Sequence, residues 1–106
     1  MDINANNRNG ETLFFNACIN GNLNFAKYLM EHGADINKEN KFFETPLFKA
    51  CESGSESLVK YLIEYGADIN KKNKYEETPL HMACKSGNDN LVKYLIGLEA
   101  EVNKES

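Results

Sequence analysis

Three cysteines and two histidines are the residues of this 106-residue chain whose side chains could attack a substrate or hold a metal. A thiol or hydroxyl nucleophile needs a base within hydrogen-bonding reach. A zinc site gathers its ligands in local pairs two to five residues apart. Cys18, Cys51 and Cys84 form no such pair, and His32 and His81 stand apart from one another. No glycine-rich loop of the phosphate-cradling kind is present either. The chain therefore reads as a non-enzyme with no cofactor and no metal. An odd cysteine number and a start at Met1-Asp2-Ile3-Asn4, which is no secretory leader, argue against a disulfide scaffold. Free thiols place the expected compartment in the cytoplasm. What is regular about the cysteines is their interval: each lies 33 residues after the last, and each follows an alanine, Ala17, Ala50 or Ala83.

Composition narrows the choice further. The length suits one domain, with 42% apolar and 26% charged residues, close to an ordinary globular chain. Twelve basic against sixteen acidic residues give −4 at pH 7, which argues against nucleic acid or a membrane surface as partner. No run approaches the roughly 20 apolar residues of a membrane span.

The elements that must position these residues recur with the cysteines. Units 7–39, 40–72 and 73–105 align without gaps; the third matches the second at 19 of 33 positions and the first matches it at 17. Asp2-Ile3-Asn4 repeats Asp35-Ile36-Asn37 and Asp68-Ile69-Asn70, so residues 1–6 read as the tail of a preceding unit. In each unit a threonine (Thr12, Thr45, Thr78) is placed to cap a helix, and Pro46 and Pro79 suit its first position. The spacing predicts short helices over 46–53 and 79–86, ending at Gly54 and Gly87 in left-handed caps. Ser55, Asn88 or a near neighbour caps a second helix, whose Leu58/Leu62 and Leu91/Leu95 recur at i, i+4. Gly33 and Gly66 end it. Two- to three-turn helices are marginal alone, so stacking must bury their apolar stripes, and about three repeats is the usual minimum.

Thr78-Pro79-Leu80-His81-Met82-Ala83, Thr45–Ala50 with Phe48 in the histidine place, and Gly66-Ala67-Asp68-Ile69-Asn70 together resemble the ankyrin repeat family over the whole chain. The resemblance implies an all-α, helix-turn-helix solenoid of ankyrin type with β-hairpin-like finger loops, a single domain over 1–106. It implies a protein-binding concave face made by the fingers and first helices. Two departures bear on the geometry. Gly10 keeps the glycine two places before the threonine, but Phe43 and Glu76 replace it, so the later fingers are expected to be strained. Glu99 stands where Gly33 and Gly66 predict glycine, and Gly97 is the expected stop of the last helix.

Weighed residue by residue, the three cysteines are expected in small buried slots. His81 is expected to be structural, bonding backbone or threonine and pinning neighbouring fingers, and His32 to lie in solvent near a helix end. Asn37, Asn70 and Asn103 are expected to satisfy loop backbone between units. Binding residues should be those that vary between copies. The least alike stretches are Arg8-Asn9-Gly10, Lys41-Phe42-Phe43 and Lys74-Tyr75-Glu76 on the fingers, and Asn16, Lys49 and Met82, then Ile19, Glu52 and Lys85, on the first helices. Of these, Lys41, Phe42, Lys49, Glu52, Lys74, Tyr75, Met82 and Lys85 are the candidate binding residues. Phe42, Tyr75 and Met82 are the candidate anchors, with Phe42 and Tyr75 ahead of Phe43 at the tips, rimmed by the charged residues. The terminal units carry Leu13, Phe14, Phe15 and Ile19 at one end and Leu80, Met82, Leu91, Val92, Tyr94, Leu95, Ile96 and Leu98 at the other, expected to lie bare. The chain thus reads as an interaction module for another protein. The alternative is a structural segment of a longer or idealised solenoid, self-associating end to end as a homo-oligomer.

Overall fold

The computed structural model describes residues 2–104, with side chains as far as Glu99. Six helices follow in order: α1 (Leu13–Ile19), α2 (Leu23–Glu31), α3 (Pro46–Ser53), α4 (Glu56–Glu64), α5 (Pro79–Ser86) and α6 (Asp89–Lys104). No strand occurs among the described residues. The helices pair as α1–α2, α3–α4 and α5–α6, and the pairs stack mainly through their first helices, α1 on α3 and α3 on α5. The result is an elongated body of 43 × 29 × 27 Å.

Local chemistry sets each boundary. Thr12 and Thr78 hydroxyls accept from the N–H groups of Phe15 (3.1 Å) and His81 (3.5 Å). Pro46 and Pro79 open α3 and α5, where their missing N–H would have had no helical partner anyway. Gly54 at φ 74° closes α3: its N–H donates to the Cys51 carbonyl and that of Ser55 to Ala50, the paired bonds of a glycine helix stop. Ala67 N–H to the Leu62 carbonyl and Gly66 N–H to that of Ile63 repeat the pattern behind α4.

The core runs through the stack as one cluster. Leu47, Phe48, Ala50 and Cys51 of α3 are fully enclosed between α1 and α5, and Phe14, Leu29, Leu58, Val59, Leu62 and Leu91 join them. Between units, Asn4 Nδ2 donates to the Gly33 carbonyl while its Oδ1 accepts from Asp35 N–H; Asn37 does the same toward Gly66 and Asp68. One amide side chain thus satisfies a donor and an acceptor of the neighbouring loop, as expected for Asn37. On the second helices, the Lys27 ammonium lies 5.6 Å from the Tyr61 ring and Lys60 lies 5.2 Å from Tyr94, a cation–π contact repeated from unit to unit.

Several expectations need correction. The last helix does not stop at Gly97. α6 runs on to Lys104: Glu99 stays helical, a left-handed conformation costing a non-glycine residue about 1 kcal/mol, whereas Gly33 (φ 92°) and Gly66 (φ 102°) take it. Asn103, expected in a loop, therefore lies in a helix. Ser55 and Thr45 make no side-chain cap, whereas Asn22 and Asn88 do. The ends are also less bare than their composition implied. Phe14, Phe15, Met82, Leu91 and Leu95 are buried, and Leu80, Val92, Tyr94 and Leu98 are half-buried, leaving Leu13, Ile19, Phe25, Tyr28 and Ile96 as the exposed apolar residues there.

Candidate interaction surface

Each finger is a three-residue hairpin turn built on an asparagine. In the second, Asn40 N–H donates to the Glu44 carbonyl and Phe43 N–H to the Asn40 carbonyl. The Asn40 side chain accepts from Phe42 and Glu44 N–H through Oδ1 and donates from Nδ2 to Glu44 Oε1. Asn7 with Glu11 and Asn73 with Glu77 repeat the arrangement. A turn of this kind ends in a left-handed residue. Gly10 takes it at φ 79°, but Phe43 (φ 61°) and Glu76 (φ 64°) hold it as non-glycine residues, so the strain expected there is present. Neighbouring fingers are joined by backbone bonds, Lys41 N–H to Asn9 carbonyl at 2.9 Å and Lys74 N–H to Phe42 carbonyl at 2.8 Å.

On this frame the finger candidates stand together. Lys41 and Lys74 are exposed, Tyr75 is 65% exposed, and Phe42 is half-buried under the Lys41 ammonium, 5.1 Å from its ring. The first helices place Lys49 between Glu44 and Glu52, 3.3 Å from each. Burial alone would lower the Lys49 pKa, but the two carboxylates outweigh it and raise it. Lys85 reaches Glu77, whose carboxyl is held below its ordinary range by the hydrogen bond from Lys85 and then that from Asn73. Ile19, Lys49, Glu52 and Ser53 line a shallow hollow of about 200 Å³ between α1 and α3.

Met82 departs from this set. It is 4% exposed and belongs to the core cluster, so it is not available as a surface anchor. Phe43, ranked behind Phe42 at the sequence level, is the more open ring at 52%. The missing glycine at its position signals strain and says nothing of display. Arg8, the counterpart of Lys41 and Lys74 in the first finger, is also exposed.

The remaining chemistry-bearing residues lie in different surroundings. Cys18 and Cys51 are buried, and burial pushes their thiols up to about 12. Cys84 corrects the expectation: it is exposed, since among the described residues no helix packs on the far side of α5 as α5 packs on α3. His81 accepts from Thr78 N–H at 3.1 Å through Nδ1, closing a reciprocal cap within its own unit; among the described residues it makes no bond to a neighbouring finger. His32 is exposed at the end of α2, with its ring 4.3 Å from that of Tyr28. No three His, Cys, Asp or Glu side chains converge on a metal-sized site among the described residues. Among the described residues no helix is long and apolar enough to cross a membrane.

A family model described as ankyrin repeats (3 copies) matches residues 1–73 and again 33–106, together the whole chain. No curated protein matches it.

Proposed function

The chain belongs to the ankyrin repeat family, and on that premise we propose that it is a non-enzymatic module binding another protein on a concave face formed by its fingers and first helices. Ankyrin repeats generally bind proteins and are generally not enzymes. The observation that carries the reading is the way the units meet. They approach most closely along α1, α3 and α5, so the second helices lie on the longer, outer side of the stack. The inner side then presents Lys49, Glu52 and Lys85 beside the finger residues Lys41, Phe42, Lys74 and Tyr75, with the hollow at Ile19 and Lys49 between them. A rigid surface of this kind binds by shape and a few anchors, while rim charges govern encounter. The free thiols fit a reducing, intracellular setting.

Affinity capture from a cell lysate tests this, comparing the wild type with a Lys49→Ala/Glu52→Ala/Tyr75→Ala variant. A protein retained by the wild type and lost from the variant is the expected result. Partners retained equally by both count against the concave face. The exposed Leu13, Ile19, Phe25 and Tyr28 support a second reading, end-to-end self-association, which sedimentation over a wide concentration range detects as rising mass.

A further inference from the structure

The reading above leaves the chemistry of the partner open, and the fingertips speak to it. Arg8, Lys41 and Lys74 occupy the same place in three successive fingers, and all are exposed. None of the three has a carboxylate within salt-bridge distance among the described residues; the ion pairs there use Lys49, Lys71, Lys72 and Lys85 instead. The acids nearest the tips are mostly engaged. Glu44, Glu76 and Glu77 pair with Lys49, Lys72 and Lys85, and Glu11, bonded to the neutral Asn7 amide, is one carboxylate against the three tip cations. The tip row is therefore a local positive strip on a chain of net charge −4.

Two exposed rings stand in that strip. Tyr75 is 65% exposed, and Phe43 is 52% exposed although it occupies a left-handed conformation at φ 61°. A glycine there, as at Gly10, would relieve the backbone. Phe43 remains about half open despite that strain, and residues held in strained backbone conformations cluster where ligands are engaged.

Resting on the finger surface being the binding face, we infer that the fingertips bind an acidic peptide segment of the partner that carries an aromatic or long aliphatic side chain. Its carboxylates meet Arg8, Lys41 and Lys74, and its apolar side chain packs on Phe43 and Tyr75. Three cations suit a short segment with a few acidic groups. A long polyanion such as nucleic acid, or an anionic membrane, would bring many more charges against a body that is itself acidic.

A random-peptide display library panned on the full chain tests this, followed by synthesis of the enriched peptides. Enrichment of acidic peptides with an apolar residue is expected. Their affinity should fall at least about tenfold in an Arg8→Ala/Lys41→Ala/Lys74→Ala variant and weaken with added salt. In Phe43→Gly it should fall about fivefold or more while the melting temperature holds or rises, which separates lost contact from lost fold. Neutral or basic enriched peptides, no enrichment, acidic peptides indifferent to the triple variant, or tighter binding of a single-stranded oligonucleotide would each overturn the inference. If enriched peptides of any other composition are lost from Lys49→Ala/Glu52→Ala, the concave-face reading survives that failure.

Discussion

At the residue scale, the three cysteines occupy equivalent places and have unequal fates. Cys18 and Cys51 are sealed by the next first helix, while Cys84 faces outward. A thiol reagent added to native protein at neutral pH is expected to titrate one thiol rapidly and the other two only after denaturation. Alkali should act through the buried pair. Their folded pKa of about 12 lies above the ordinary 9.0, so their contribution is intact below pH 9 and is lost as pH rises from there toward 12. Urea midpoints measured between pH 8 and 11 should decline, and should do so less in a Cys18→Ala/Cys51→Ala variant. The left-handed residues give the opposite kind of prediction. Phe43→Gly and Glu76→Gly should each stabilise the fold by about 1 kcal/mol, because the relieved strain exceeds the added freedom of the unfolded chain and neither side chain is enclosed. Equilibrium denaturation of each variant checks this. The strain was legible in the sequence, since Gly10 marks the position. That Phe43 is displayed and Met82 enclosed was not: a turn residue's exposure depends on what the neighbouring finger covers, and helical phase within eight residues leaves the buried face of α5 undetermined until it packs on α3.

At the scale of the element, the three first helices carry the same cap residue and use it differently. Thr12 Oγ1 accepts from Phe15 N–H at 3.1 Å. Thr45 Oγ1 is buried with no partner, and the Phe48 amide turns instead to the Thr45 carbonyl at 3.0 Å. Thr12→Val is therefore expected to cost about 1 kcal/mol, and Thr45→Val close to nothing or a slight gain, since it removes an unsatisfied hydroxyl at nearly constant volume. Thermal melts of the two variants side by side would show the difference. The existence and order of these helices followed from threonine, proline and glycine at fixed spacing. The length of α6 did not, because a missing stop residue says only that the helix need not end there. How far it continues depends on what its last turns meet.

At the scale of the whole molecule, each helix pair touches only its neighbours, and three pairs are close to the fewest that hold together. The middle unit therefore bears on both others. Phe48 is fully enclosed, and Phe48→Ala should cost about 3–5 kcal/mol, a large share of the ~5–15 kcal/mol a domain of this size possesses. Urea unfolding followed by circular dichroism should show the whole transition displaced, with no separate early phase for one unit. Ile96→Ala, on an exposed side chain at the end of the stack, should move it by about 0.5 kcal/mol or less.

By itself the sequence determined the 33-residue period, the paired helices and their caps, and the family, because these rest on backbone preferences and on a pattern repeated three times. Tertiary structure alone decided which copy of each repeated residue is enclosed. Equivalent positions share a local environment but not a neighbour: Cys51 has α5 beside it and Cys84 has no such helix among the described residues. The open charges of the tips were likewise settled only in three dimensions. A lysine is free or paired according to the carboxylates that folding brings within reach, and folding brought Glu44 and Glu52 to Lys49 and, among the described residues, none to Lys41.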